Sequence, residues 1–406
     1  MVEEIGAVGL EKVESVSSEE IEKRKKKIAD LFKKGGNWIY YAILSIILFI
    51  SVYIRTRNIP RLKDIATGTW TLGPDLDPFL FLRWAKYIAE HGKLFILDAM
   101  RYVPLSDICS GNACIPVNTA GEMKLLSYMM AYLYKFLAFF DKEITITYAS
   151  IIFPVVMAVF TGIAFFLFSR KLFYKESKKT ANIIALIATL LFVLVPSLLS
   201  RSIAGIPEKE SVGFFFLFGA FYLFLEAYTA EKLKKGIICS ISAGIFTAAL
   251  GLIWGGVTFV FLAIAGAVLF AFLLGKIDGK KFLFYSVWLV SSVLVMIPSS
   301  TRYTFESLAT SSSTGLAFMM FFILLVDFLI FKKKIFNLDE KTKKINLPKP
   351  VISVIIAVLV LGVLASVVFG ISFIPNIVKD VISHSVQPFI PSRFTFISQT
   401  NFFSCF

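Results

Sequence analysis

A chain of 406 residues that is 57% hydrophobic and 15% aromatic carries more apolar surface than a soluble domain can bury. Composition therefore excludes a soluble globular protein and points to an all-α polytopic membrane protein. The net charge of +14 comes from 42 Lys and Arg against 28 Asp and Glu; in a membrane protein that excess marks cytoplasmic loops, not a nucleic-acid partner, and no RNA- or DNA-binding motif stands in the sequence.

Residues 1–36 are polar, with a Lys-rich run from Lys23 to Lys34. They are expected to form a cytoplasmic basic tail. No cleavage pattern precedes the first apolar run, so Trp38–Tyr53 reads as a retained signal anchor. Apolar runs of spanning length follow at 146–168, 181–199, 212–228, 237–253, 257–274, 282–298, 313–331 and 351–372. With the run at 38–54 that gives nine spans. A tenth run, Met123–Phe140, holds Lys124, Lys135 and several tyrosines, and suits either a span or an interfacial amphipathic helix.

Charge decides between these. If 123–140 does not span and the N-terminus is cytoplasmic, the inside segments are 1–36, 169–180, 229–236, 275–281 and 332–350. They hold about 26 of the 42 Lys and Arg. The outside holds about 16, of which 11 are spread over one loop of roughly 90 residues. A spanning 123–140 would turn every later Lys-rich loop outward. The expected organisation is a transmembrane domain over 37–372 with a structured external loop 55–145, followed by an external segment 373–406.

The external loop contains the stretch Gly73-Pro74-Asp75-Leu76-Asp77-Pro78-Phe79-Leu80-Phe81-Leu82-Arg83. Asp77 reads as a helix N-cap, Pro78 as the first helical residue and His91-Gly92 as the stop. Leu82, Ala85, Ile88 and Ala89 give this helix its apolar stripe. One acid here is most simply a cap. Two acids at a membrane surface are also a start on a divalent-cation site.

Cys109 and Cys114 lie close together in a polar part of the same loop and suit a local disulfide or two free thiols equally. Cys239 lies inside an apolar run and Cys405 near the end. With no zinc spacing and only His91 and His384, any metal site must use oxygen ligands, which favours Mg²⁺ or Mn²⁺.

On the same expected face lies Ser200-Arg201-Ser202-Ile203-Ala204-Gly205-Ile206-Pro207-Glu208-Lys209-Glu210. Pro207 reads as a helix opener, and acids in a first turn complement its dipole. Two acidic pairs from distant stretches are thus expected on one membrane face, each immediately beside a span. Glu226 and Asp327 fall near the cytoplasmic ends of their spans and receive no role.

Together these stretches resemble the catalytic-subunit family of the oligosaccharyltransferase, found in archaea, bacteria and eukaryotes. Asp75 through Arg83, then Tyr87-Ile88 and His91-Gly92, looks like the family's first external acidic motif and the helix after it. Ser200 through Gly205 with acids at 208 and 210 looks like its second, and Trp254-Gly255-Gly256 after a span also fits. The resemblance covers roughly 37–400 and implies a C-type glycosyltransferase-like transmembrane domain.

It implies transfer of a glycan from a polyprenyl (di)phosphate carrier to Asn of an Asn-X-Ser/Thr sequon. By resemblance, Asp77 is both a metal ligand and a contact to the acceptor amide. Glu208 and Glu210 match the second motif's metal and amide positions, with Mn²⁺ or Mg²⁺ as the cation. The implied partners are a lipid-linked oligosaccharide, a sequon-bearing acceptor protein and membrane lipid. Arg83 and Arg201 match motif positions, and a packing or interfacial role weighs more for both.

Three features depart from the family. Glu208 stands where Asp is usual. The glutamate of a fifth external loop is missing, whether Ser383-His384-Ser385-Val386-Gln387-Pro388 or Ile397-Ser398-Gln399-Thr400-Asn401 is aligned with its motif. The sequence also ends at Phe406, before the family's further spans and soluble sequon-reading domain, so a truncated chain is expected, with its own activity open. Rival readings are another polyprenyl-phosphate-sugar glycosyltransferase and a secondary transporter. Against the transporter, the acids crowd the outer interface and not the membrane middle. The Lys-, Ile- and Phe-heavy composition favours a prokaryotic cell membrane over the endoplasmic reticulum.

Overall fold

The computed structural model describes residues 38–102, 116–311, 313–333 and 347–372, with Glu22, Ile374, Pro375 and Lys379. The expected basic tail, the Cys109–Cys114 pair, Cys405 and both alignments of the fifth-loop motif lie outside the described residues.

The described residues are mostly helical. Helix α1 runs Trp38–Thr56, α2 Asp77–His91, α3 Leu125–Phe140, α4 Ile146–Leu172, α5 Lys178–Leu194, α6 Pro196–Ser200 and α7 Lys209–Tyr228. Then come α8 Leu233–Gly251, α9 Val257–Leu273, α10 Gly279–Ser299, α11 Phe305–Thr310, α12 Thr314–Asp327 with a π-helical extension Phe328–Lys332, and α13 Lys349–Phe369. A small antiparallel pair, β1 Leu97–Tyr102 with β2 Pro116–Asn118, lies in the stretch between α2 and α3. It has no counterpart in the sequence-based expectation, because three paired residues leave no readable alternation.

Among the described residues, seven helices are long and apolar enough to cross a membrane: α1, α4, α7, α8, α10, α12 with its extension, and α13. The other two expected spans form helices α5 and α9 of 17 residues each, about 25 Å long at 1.5 Å per residue. Pro196 ends α5 early: it cannot continue the ladder, and the chain re-enters a helix at α6. The doubtful run 123–140 folds as α3, only 16 residues long. It packs against α2 and α4, and Tyr132, Phe136, Phe139 and Phe140 lie exposed along it.

Small residues fix the centre of the bundle. Gly236, Ser240, Ala243, Gly244, Thr247, Ala248 and Gly251 repeat at helical spacing along α8 and are buried. This lets α8 approach α10 backbone to backbone. A Cβ on Gly244 would stand 2.8 Å from the Trp288 carbonyl, and one on Gly236 would meet the Phe284 ring at 2.1 Å. Without a hydrophobic drive between helices in lipid, such packing and buried bonds hold the bundle, for example Trp288 Nε1 donating to Thr247 Oγ1 at 3.1 Å.

A second apolar cluster joins α2 and α3 to the bundle. Phe81, Trp84 and Ile88 of α2 and Met130 of α3 pack with Ile151 and Phe153 of α4 and with Ala204 and Val212 beside the second acidic stretch. That cluster is the floor on which the candidate site rests.

Candidate catalytic site

The first acidic stretch enters α2 one residue earlier than its sequence suggests. Asp77 is the first helical residue and Leu76 the N-cap, and no side chain caps the helix. The Asp77 carboxylate is therefore not spent on capping. The stop is where expected: Gly92 takes φ +78° and its N–H reaches the Ile88 carbonyl. The buried face is wider than the expected stripe, taking in Phe81 and Trp84, whereas Ala89 is only half-buried.

Trp84 and Arg83 find their polar partner in β1. Asp98 is buried; Arg83 grips its carboxylate with both guanidinium arms, the Nη1–Oδ1 bond measuring 2.8 Å. Trp84 Nε1 donates to it at 3.0 Å and the Met100 N–H at 3.1 Å. Burial works to raise the Asp98 pKa, but these donors and the Arg83 charge outweigh it and hold the carboxyl below its ordinary value. Arg83 thus packs and orients α2, as weighed from the sequence.

The second stretch is held by main chain. The Ala204 N–H donates to the Arg55 carbonyl at 2.9 Å, the Gly205 N–H to the Ile151 carbonyl at 2.9 Å, and Asn58 Nδ2 to the Ala204 carbonyl at 2.7 Å. Pro154 removes a rung of the α4 ladder close to Ile151. Gly73 then donates to the Gly205 carbonyl at 2.8 Å, which joins the two acidic stretches directly. Gly205 sits at φ +86°, with Leu62 against its open side, a conformation that favours glycine.

Pro207 does not open the following helix. The chain stays extended through Glu208, the N-cap, and α7 begins at Lys209. The Glu208 side chain makes no capping bond, while Glu210 lies in the first turn. Lys209 extends over the Phe81 ring of α2 at 5.5 Å from its centre. Behind this turn, Trp254 packs against Gly213, where a Cβ would stand 2.9 Å from the indole.

The acids converge at this end of the bundle. Arg201 Nη1 lies 3.7 Å from Asp75 and 3.6 Å from Glu208, bridging the two stretches. Of the packing or interfacial role expected for Arg201, the structure shows no packing one: its side chain is half-exposed between two carboxylates. Glu208 is buried; burial first, then the negative charges of Asp75, Glu210 and Asp77, pushes its carboxyl up to about 7. Arg201 and Lys209 are the cations among these four carboxylates. Four carboxylates are the hard oxygen donors a divalent cation takes. Among the described residues no three His, Cys, Asp or Glu side chains already stand together as a cage.

A family model described as "Oligosaccharyl transferase STT3, N-terminal" matches residues 39–388. The chain belongs to the STT3 family. Curated STT3 relatives include the STT3 subunit of dolichyl-diphosphooligosaccharide–protein glycosyltransferase from Dictyostelium discoideum. It is 28% identical over 30% of this chain and 17% of its own length. The STT3A subunit of Oryza sativa subsp. japonica is 28% identical over 39% of this chain and 19% of its own length. For the STT3B subunit of Arabidopsis thaliana the figures are 24%, 54% and 28%.

Among solved structures, the Archaeoglobus fulgidus oligosaccharyltransferase AglB, in complex with an inhibitory peptide and a dolichol-phosphate, superposes with a TM-score of 0.63. It is 21% identical over 88% of this chain and 40% of that one. The same archaeon's enzyme with Zn and sulfate gives 0.58, at 20% identity over 85% and 43%. These likenesses establish an STT3-type fold. The chain spans less than half the length of the relatives and structures it matches.

Of the residues singled out from sequence, Asp75, Asp77, Glu208, Glu210 and Arg201 come to one place, and Arg83 stands behind them. Arg55, Asn58 and Asp98 escaped sequence reading. Arg55 and Asn58 have partners far along the chain and Asp98 pairs across 15 residues, and no local pattern signals any of them.

Proposed function

We propose that this chain forms the membrane-embedded, carboxylate-bearing part of an oligosaccharyltransferase. It moves a glycan from a polyprenyl (di)phosphate carrier to the Asn of an Asn-X-Ser/Thr sequon. The observation that carries this reading is the convergence of the Asp75–Asp77 and Glu208–Glu210 stretches, 131 residues apart between Asp77 and Glu208, across Arg201. Membership of the STT3 family supports it, and the AglB structures were solved with a dolichol-phosphate in one case and an acceptor peptide containing the NVT sequon in another.

The chemistry asks for carboxylates. A carboxamide nitrogen is a poor nucleophile because its lone pair is delocalised into the carbonyl. Asp77 and Glu210 accept the N–H bonds of the acceptor amide, orient the nitrogen and weaken that delocalisation. Arg201 keeps the two stretches in register. Asp77, Glu208 and Glu210 would hold Mn²⁺ or Mg²⁺; when bound, the cation stabilises charge on the departing phosphate. In this reading the N-terminus and the Lys-rich loops are cytoplasmic, loop 55–145 is external, and the membrane is that of a prokaryotic cell.

The test uses the purified chain in lipid nanodiscs. Mn²⁺ affinity is measured, together with transfer from a lipid-linked oligosaccharide to a fluorescent Asn-Val-Thr peptide. Asp77→Asn is expected to weaken Mn²⁺ binding by at least about tenfold and to abolish transfer. Unchanged Mn²⁺ affinity in Asp77→Asn sinks the site assignment.

A further inference from the structure

Arg55, in the last turn of α1, is fully buried, and no carboxylate among the described residues pairs with it. An uncompensated guanidinium is costly to bury, so its position asks for an account. Its three nitrogens each go to a different place. Nε donates to Ser202 Oγ at 2.9 Å, Nη1 to Ser51 Oγ at 2.8 Å, and Nη2 to the Val193 carbonyl at 2.9 Å.

The Val193 carbonyl belongs to the last turn of α5, where Pro196 breaks the ladder. Four such terminal carbonyls lack helical partners. A cation there is stabilised by the negative end of the helix dipole. Charge compensation therefore comes from α5, which frees Nε to hold Ser202. Ser202 itself donates to the Leu198 carbonyl at 2.6 Å, so its oxygen is oriented to accept from Arg55. The main chain of Arg55 completes the grip by accepting the Ala204 N–H.

We propose that Arg55 is a positioning residue for the candidate site. It fixes the turn Arg201–Gly205 against α1 and α5, and through that turn sets where Arg201, Glu208 and the Gly73–Gly205 link stand. It touches neither acceptor nor carrier. The planar, three-way donor geometry explains why arginine is needed: a lysine ammonium on a flexible stem cannot hold Ser202, Ser51 and Val193 in one rigid fork. The consequence for glycosyl transfer rests on the function proposed above; the positioning itself does not.

The experiment compares Arg55→Lys, Ser202→Ala and the double variant of the whole chain in nanodiscs by backbone hydrogen exchange. Loss of the grip is expected to speed exchange across 201–206 at least about tenfold in each single variant, with α7 and α8 unchanged. The double variant is expected to exchange no faster than the faster single, because both changes remove one contact. Transfer to the Asn-Val-Thr peptide should fall about 10- to 100-fold in kcat with KM unchanged.

Wild-type exchange at 201–206 in Ser202→Ala, which keeps the buried charge in place, overturns the proposal. So does faster exchange throughout α7 and α8, which marks general unfolding. If exchange changes as expected while no chain transfers glycan, the positioning stands and the transferase reading is what fails.

Discussion

The backbone N–H of Gly73 meets the carbonyl of Gly205 at 2.8 Å, so the two acidic stretches are joined main chain to main chain. The carboxylates Asp75, Asp77, Glu208 and Glu210 repel one another, and Arg201 and Lys209 offset part of that repulsion. The glycine link supplies what electrostatics opposes.

Gly205→Ala is expected to break that link. The residue holds φ +86°, and a Cβ there would stand 2.6 Å from Leu62 and 3.2 Å from the Gly73 nitrogen. The left-handed conformation alone costs about 1–2 kcal/mol for an L-residue, and relieving the contact separates the stretches. Weakened Mn²⁺ binding with a largely intact bundle, read by circular dichroism and metal titration, is the expected outcome. Wild-type Mn²⁺ affinity would show that the link is dispensable.

Asp98→Ala should destabilise the packing of α2 on β1 by about 1–3 kcal/mol, the range for leaving buried hydrogen-bonding groups without their partner. It strands the Arg83 guanidinium and the Trp84 indole N–H together. Chemical denaturation followed by Trp fluorescence measures this. A loss below about 1 kcal/mol would place the pair among ordinary surface salt bridges.

Acid should weaken the same contact. The folded Asp98 pKa lies below its ordinary value, so its contribution to stability is fully present above the unfolded pKa of about 3.9. It is lost as pH falls through the lower folded value. Thermal midpoints taken from pH 7 down to pH 3 should therefore fall more steeply below about pH 4 in the unaltered chain than in Asp98→Asn. Parallel curves would assign acid sensitivity to other groups.

Gly244→Val tests the contact between α8 and α10. A Cβ already falls 1.9 Å from Ser291 Oγ and 2.8 Å from the Trp288 carbonyl, so the helices must part. Overpacking of this kind costs about 1–3 kcal/mol or more, seen as lower folded yield in detergent. The control, Gly266→Ala on α9, meets nothing within 4 Å and should fold normally.

The apolar runs and the acidic stretches could be read from sequence because each is local. Length and hydropathy mark a span, and Gly92 after His91 marks a stop. The register of Asp77 and the start of α7 could not be read to the residue, since Pro78 and Pro207 are compatible with more than one position near a helix start. Arg201 between Asp75 and Glu208, Arg55 on Val193 and Asp98 under Arg83 were hidden for another reason. Each depends on how separate segments pack, and a single polar residue carries no periodic signal.

The origin of the two halves of the acidic site matters for how the protein is made. Asp75 and Asp77 flank the start of α2, a helix in the loop between α1 and α4, whereas Glu208 and Glu210 frame the start of α7. During synthesis the first pair leaves the ribosome 131 residues ahead of Glu208. Until residues 201–210 follow, the early carboxylates have neither Arg201 nor Gly205 beside them. Assembly of the site thus waits for the second stretch, and it reports that α1, α4, α5 and α7 have all found their places.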